Sequence, residues 1–176
     1  PTTIVGRPPM EDCYMAKATE RLFLPILRQM IPEIVDIDLP LPGVFHNCAI
    51  VSIKKRYPGQ AAKVMYALWG LGQMMYTKMI IVVDDTVDVH NLDMVLWKLF
   101  NNIDAKRDLI FADGPLDALD HASPRAFFGT RLGIDATKKG ASDGHPRQWP
   151  DDIVMDESVK KHVDEKVIFL GAFPAK

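Results

Sequence analysis

The chain has 176 residues, a formal net charge of −2 and 48% hydrophobic side chains, an ordinary globular composition that favours one domain with a sizeable core. The near balance of charge gives no overall attraction for nucleic acid or anionic lipid. Cys13 and Cys48 are the two cysteines, and their spacing indicates neither a disulfide framework nor a zinc site, so we expect a cytoplasmic protein. No apolar run reaches the roughly 20 residues that span a bilayer.

The first predicted element is a helix over residues 11–30. Apolar side chains at every fourth position, including Tyr14, Leu22 and Ile26, predict its core-facing stripe. Pro25 interrupts the pattern, so we expect a kink or a split there.

A sheet is predicted from the residues that follow. Period-two alternation over residues 33–39 indicates a half-buried strand, and the apolar run over 44–53 a more buried one. Residues 60–75 are apolar nearly all round a helical wheel and predict a helix covered on most sides. Residues 79–83 read as an interior strand, so strand, helix and strand form a crossover between parallel strands.

The pattern of elements weakens towards the end of the chain. Residues 92–100 predict a helix capped by Asn91, and residues 108–112 add a strand. We therefore predict an α/β fold with a mixed, partly parallel sheet flanked by helices. The expected organisation is an α/β core over 1–139, a loop or linker over 140–155, and a C-terminal helix and tail over 156–176 that folds back or packs on another subunit.

A basic turn, Lys54-Lys55-Arg56, ends the second strand just before a helix. Open α/β sheets bind ligands at the carboxyl ends of their strands, and a helix N-terminus assists phosphate binding. Surface lysines are common, however, so a solvated strand end remains the alternative.

An acidic stretch over residues 84–90 contains four residues that could ligate a hard cation. Acids after an interior strand more often solvate the turn, and Asp88 or Asn91 is suited to cap the next helix. We favour this structural interpretation. The sequence also lacks a nucleophile motif or paired histidines, so it predicts no self-contained catalytic apparatus.

The order of short motifs resembles the UbiD family of reversible decarboxylases over nearly the whole chain. The motifs are VGRPPMED (5–12), FLP (23–25), PEIVD (32–36), VSIKKRYPG (51–59), ALW (67–69), VVDD (82–85), DALDHA (117–122) and GIDAT (133–137).

The resemblance implies a decarboxylase of aromatic or unsaturated carboxylic acids, including those of ubiquinone synthesis, that uses prenylated FMN with a divalent metal (Mn or Mg) and potassium. In the family, the flavin-binding half, the metal ligands and the catalytic arginine and acids precede the segment at which this chain starts. We therefore expect a C-terminal domain that is inactive alone. It would be a truncated piece, a proteolytic core or a natural subunit.

The resemblance also suggests individual site residues. Lys54 or Lys55 is similar to the family lysine that approaches the cofactor phosphate, whereas Leu116 and Leu119 lie in a stretch that resembles a wall of the substrate pocket. The alternatives are that the lysine is only a solvated surface residue and that Leu116 is an ordinary core residue. The implied partners are the missing flavin-binding half, or a separate subunit carrying it, and further copies of the chain. A noncatalytic subunit of a split enzyme and a small-molecule binding module remain alternative functions.

Overall fold

The computed structural model describes residues 10–118 and 120–169, and the side chains of 10–118 and 120–166. Its centre is a mixed sheet of five strands: β1 (Ile34–Asp38), β2 (Cys48–Ile53), β3 (Met79–Asp84), β4 (Leu109–Pro115) and β5 (Phe128–Asp135). Their order across the sheet is β1-β2-β3-β5-β4. β2, β3 and β5 are parallel, and β1 and β4 run antiparallel at the two sides. The predicted mixed, partly parallel sheet is confirmed.

The described helices are α1 (Met10–Met30), α2 (Gln60–Trp69), α3 (Leu92–Asn102) and α4 (Glu157–Phe169). Side chains of β3 alternate between two apolar clusters, as the period of two in a strand requires. Ile80 and Val82 pack with α1 and α2, whereas Ile81 and Val83 pack with α3. The sheet is therefore covered by α1 and α2 on one face and by α3 on the other. All described side chains from residue 151 onward are exposed, so the part of α4 whose side chains are described packs on neither face.

The predicted core face of α1 is wrong. Tyr14 and Leu22 are 70% and 72% exposed, whereas Leu24 and the charged residue Glu20 are buried. The helix continues through Pro25 without a split. Both sides of α1 carry apolar residues, and the side that packs on the sheet is the one containing Cys13, Ala16, Glu20, Leu24 and Leu27.

Two predicted boundaries are shifted, and both shifts have a backbone cause. α2 ends at Trp69 rather than residue 75, because Gly72 has a positive φ of 44° and starts a short 3-10 turn. β2 begins at Cys48 rather than Val44. A 3-10 turn precedes it, and Val44 itself has a φ of 58°, which no strand residue adopts.

The strand β5 was not predicted. Glycines and a buried arginine obscure its alternation, because Gly129, Gly133 and Arg131 stand where a strand pattern would show apolar side chains. It nevertheless lies inside the sheet, between β3 and β4. A Cβ at Gly133 would lie 2.5 Å from Met65 Sδ of α2, so the absence of a side chain is what lets the helix lie close to the strand.

Candidate functional site

The parallel strands give the sheet two distinct edges. At the carboxyl edge, β2, β3 and β5 end beside one another, since Ile53 pairs with Asp84 and Val82 pairs with Asp135. At the amino edge, the same strands begin, and β4 ends next to the start of β5. The predicted lysines follow β2 at the carboxyl edge, and Leu116 follows β4 at the amino edge.

Lys55 is part of an internal ion pair. Its Nζ lies 2.8 Å from Asp143 Oδ1 and donates a hydrogen bond of 2.9 Å to the carbonyl of Lys138. Burial alone would raise the pKa of Asp143, but the hydrogen bonds from Lys55 and the Gly140 N–H, together with the positive charges of Lys55 and Lys139, lower it overall. Lys55 therefore ties the segment after β5 to the end of β2, and its positive charge is already compensated.

Lys54 has different surroundings. Its backbone N–H donates to the carbonyl of Glu33 at 2.8 Å, which extends the pairing of β1 and β2. Its side chain is exposed, and no described carboxylate lies within ion-pair distance of it. Of the two lysines, Lys54 is thus the one with a positive charge available to an external anion.

A buried lysine organises the rest of the carboxyl edge. Lys139 Nζ donates to the carbonyls of Thr137 and Asp135 at 2.7 and 2.9 Å. It also lies 3.1 Å from the carboxylate of Asp135 and 3.7 Å from that of Asp108. A cavity of about 240 Å³ opens here beside the start of α2. Acidic and basic side chains alternate around this cavity. Their charges pair with one another and stabilise the carboxyl edge, so they do not form a binding site for an anion.

The acidic stretch over residues 84–90 does not converge into one site. The pKa of Asp84 is raised, chiefly by burial, and its carboxylate accepts the Lys138 N–H at 2.8 Å. Asp88 accepts the backbone N–H of His90. Asn91 caps α3 by accepting from Met94 N at 3.1 Å. The favoured interpretation of turn and cap is confirmed for these residues.

His90 instead joins a cluster that no sequence motif indicates. Its ring nitrogen lies 3.1 Å from Asp38, and ligand-type atoms of Glu20, Asp38 and His90 lie within 4.8 Å of one another. Lys17 forms ion pairs with both carboxylates. The ammonium supplies the positive charge that a cation would bring, so we interpret the cluster as a structural ion-pair network.

Leu116 is a core residue at the amino edge. It is 1% exposed, and a Cβ at Gly129 would lie 2.7 Å from its Cδ1. Leu119 lies outside the described residues. Nine residues of strand separate the level of Ile53, which precedes Lys54, from that of Pro115, which precedes Leu116, and this is about 30 Å at the rise of a β-strand. The described chain therefore does not bring the predicted phosphate and substrate residues together.

The amino edge also holds a histidine that the sequence analysis did not single out. His46 is 8% exposed, and its Nε2 lies 3.2 Å from Asp117 Oδ2. Burial lowers the pKa of His46, and the nearby Asp117 opposes this shift only in part. Lys78 anchors the same loop through two contacts of 2.9 and 3.0 Å to the carboxylate of Asp120. Residues 46 and 117 are far apart in sequence, so no local spacing signals the pair.

Comparison with solved structures gives the class of protein. Vanillic acid decarboxylase of Sedimentibacter hydroxybenzoicus, in its closed form, matches with a TM-score of 0.80 and 27% identity over 92% of this chain and 34% of that protein. The UbiD-class enzyme HmfF from Pelotomaculum thermopropionicum, in complex with FMN, matches with a TM-score of 0.68 and 26% identity, over 82% of this chain and 31% of that one. The fold is that of one domain of UbiD-class decarboxylases.

The sequence comparison gives the family. The chain belongs to the 3-octaprenyl-4-hydroxybenzoate carboxy-lyase C-terminal domain family, whose model matches residues 13–136. An uncharacterized protein of Archaeoglobus fulgidus is 56% identical over 163 residues, which are 92% of this chain and 34% of that protein. The chain thus spans about a third of the length of such relatives, and the predicted family is confirmed. Within the described residues, no helix has the length and apolar character needed to cross a membrane.

Proposed function

We propose that this chain is the C-terminal domain of a longer decarboxylase that acts on an aromatic or unsaturated carboxylic acid. The observation that carries the proposal is the match of its fold to one third of vanillic acid decarboxylase. The chain would supply one wall of the substrate cleft and much of the contact between subunits. A cytoplasmic location accords with two cysteines that are both outside disulfides.

The proposed cofactor is prenylated FMN, and the residue of this chain that would contact it is Lys54. HmfF is similar to the chain and was solved with FMN. The exposed ammonium of Lys54, at the carboxyl edge and shortly before α2, suits a phosphate group. Lys55 suits it less, because Asp143 already holds its charge. We propose that the divalent metal, potassium and their ligands belong to the rest of the enzyme.

The chemistry of the whole enzyme follows from loss of carbon dioxide, which leaves a carbanion. The bound flavin supplies an electron-accepting ring, while protein groups supply orientation and a proton. In this chain, Lys54 would fix one end of the cofactor, whereas Leu116 is a core residue at the opposite edge of the sheet and is not proposed to line the same cleft. We propose that the chain alone is inactive, because it spans about a third of the length of the proteins that it matches.

The proposed partners are the flavin-binding part and further copies of this chain. The exposed apolar side chains of Ile153, Val154 and Met155, followed by Val159 and Val163 of α4, suit packing against another subunit. A flavin-binding part that is a separate polypeptide would make this chain the subunit of a split enzyme. A stand-alone small-molecule binding module is the remaining candidate.

The first test is the native mass of the protein from its source together with its visible absorbance. A mass well above that of the 176-residue chain, with a flavin spectrum, supports a domain of a decarboxylase. A native polypeptide with the mass of the 176-residue chain that copurifies with a second, flavin-bearing polypeptide supports the proposal of a split enzyme. The 176-residue chain alone, inactive and without affinity for FMN, would overturn both.

The second test compares the two lysines in the flavin-bearing enzyme. Lys54→Ala should weaken flavin retention by about tenfold, because one charge-assisted contact to phosphate is lost, and Lys54→Arg should restore it. Lys55→Ala is the matched control, and it should lower thermal stability without a comparable change in flavin affinity. The opposite pattern would reassign the phosphate contact to Lys55.

A further inference from the structure

Gln60 is a buried polar residue at the first position of α2, directly after the basic turn. The residue is 4% exposed, whereas residues 56–59 of the turn are all exposed. A side-chain amide buried to this extent normally has hydrogen-bond partners, and the partners of Gln60 belong to two different segments of the chain. Gln60 therefore connects the basic turn to the rest of the fold.

The amide oxygen of Gln60 holds the turn. Its Oε1 accepts a hydrogen bond of 2.7 Å from the Arg56 N–H, so the side chain closes the segment 56–60. A backbone N–H outside the sheet and helix ladders needs such an acceptor or water. The backbone at residue 56 is thereby fixed relative to the start of α2.

The amide nitrogen of Gln60 interacts with Glu33, which directly precedes β1 and is 8% exposed. Burial alone would raise the pKa of Glu33, but hydrogen bonds from Lys63, from its own backbone N–H and from Gln60, together with the charge of Lys63, lower it. The carbonyl of Glu33 accepts the Lys54 N–H at 2.8 Å. Gln60 and Glu33 thus fix the backbone on both sides of residue 55.

These two contacts require an uncharged amide with the reach of glutamine. An amide offers an acceptor oxygen and a donor nitrogen at once. Glutamate would lose the donor and place a second carboxylate beside Glu33, while asparagine is shorter by one methylene. The position therefore selects glutamine by its hydrogen bonding as well as by its size.

We propose that Gln60 is a positioning residue that presents Lys54 to the phosphate group of a bound flavin mononucleotide. Lysine carries its ammonium on a flexible stem, and it binds an anion more tightly when the backbone beneath it is held in one conformation. Gln60 does not touch the phosphate itself, because its side chain is buried and both ends of its amide are engaged. This inference rests on the proposed function, which assigns the phosphate contact to Lys54.

The experiment measures how tightly the flavin-bearing enzyme, after removal of its flavin, binds FMN and riboflavin, which lacks the phosphate. Gln60→Met keeps the volume of the side chain and should lower FMN affinity about fivefold, in keeping with the loss of one hydrogen bond. Riboflavin affinity should stay unchanged. Gln60→Asn, the milder replacement, should give the same selective loss. Equal losses for both flavins, or no loss for either, in a folded variant would overturn the role of Gln60.

A double-mutant cycle tests whether Gln60 acts through Lys54. In the Lys54→Ala background, Gln60→Met should cause no further loss of FMN affinity, because no ammonium remains to be positioned. An equal loss in both backgrounds would refute the positioning role. A Lys54→Ala variant that binds FMN as tightly as the native enzyme would instead overturn the proposed phosphate contact, and the role of Gln60 with it.

Asn102→Leu is the matched control for a general loss of stability. Asn102 is also a buried amide, 9% exposed, and it donates a hydrogen bond of 3.1 Å from α3 to the carbonyl of Ala136. Its replacement should lower thermal stability without changing the ratio of FMN to riboflavin affinity. If the control changes this ratio as much as Gln60→Met does, the effect comes from stability and the proposal is wrong.

Discussion

Lys54 and Lys55 are neighbours in sequence but differ in almost every physical respect. Lys55 is enclosed and paired with Asp143, whereas the side chain of Lys54 is exposed. The basic turn could be predicted from sequence, and so could its place at the end of a strand. The partner of Lys55 could not, because Asp143 lies 88 residues away and no local pattern connects them.

Replacing Lys55 should therefore be much more damaging than replacing Lys54. Lys55→Ala leaves the carboxylate of Asp143, whose side chain is 12% exposed, without its partner, and we expect the free energy of unfolding to fall by about 2 kcal/mol. Lys54→Ala should stay within about 0.5 kcal/mol, as is usual for an exposed side chain. Urea denaturation of both variants measures the difference, and equal losses would contradict the buried ion pair.

The ion pair between Lys55 and Asp143 makes the free energy of unfolding depend on pH in the acidic range. The folded pKa of Asp143 is below its ordinary value because burial, which raises it, is outweighed by the hydrogen bonds from Lys55 and the Gly140 N–H together with the charges of Lys55 and Lys139. The stability that this provides is present above the unfolded pKa of about 4 and is lost as pH falls through the lowered value. In Asp143→Asn, the decline in unfolding free energy below about pH 4 should be shallower. Asp151→Asn, at an exposed position, is the control, and parallel profiles for all three proteins would refute the prediction.

At the scale of elements, strands and helices with clear periodicity could be predicted from the sequence. Which face of each element is buried was harder to predict. α1 carries apolar residues on two sides, so its periodicity alone could not decide which side packs on the sheet. In α3, the apolar Val95 is buried, but the apolar Phe100 is 73% exposed and the charged Lys98 is buried. Lys98 is accommodated because Asp152 lies 2.6 Å from its Nζ. Such a distant partner overrides the local pattern.

The contact between β5 and α2 gives a prediction at this scale. In Gly133→Ala, the new Cβ would lie 2.5 Å from Met65 Sδ and 3.2 Å from Trp69 Cη2. Since the helix must shift or its side chains repack, we expect a loss of about 2 kcal/mol in unfolding free energy. Gly140→Ala is the matched control, because its nearest contact would be Asp143 Oδ2 at 4.0 Å. Calorimetry that shows no difference between the two variants would argue against close packing there.

For the whole molecule, the surface best suited to bind another protein is the exposed apolar side of α1 and not α2. The sequence predicted that α2 is covered on most sides, and Val64, Met65 and Leu68 of α2 are fully buried within the chain itself. The exposed apolar residues of α1 are Met10, Tyr14, Met15, Leu22, Phe23, Ile26 and Met30. A run of exposed apolar side chains along one helix indicates an interface.

We therefore expect the isolated chain to self-associate through α1. Leu22→Glu should shift sedimentation towards the monomer, because it places a charge within the apolar patch. Phe100→Glu is the control, since Phe100 is equally exposed, at 73% against 72% for Leu22, but lies on α3 at the opposite face of the sheet. A native chain that sediments only as a monomer would contradict the prediction, and equal effects of both variants would move the interface away from α1.

The position of β5 also governs when the fold can be completed. β5 lies between β3 and β4 in space but comes last in sequence among the described strands. During synthesis, β3 therefore has an unpaired edge, and β4 has no partner, until residues near 135 have emerged from the ribosome. Non-local pairings of this kind slow folding and leave strand edges open to other chains. The domain is thus most prone to pair with other chains in the interval between the synthesis of β3 and that of β5.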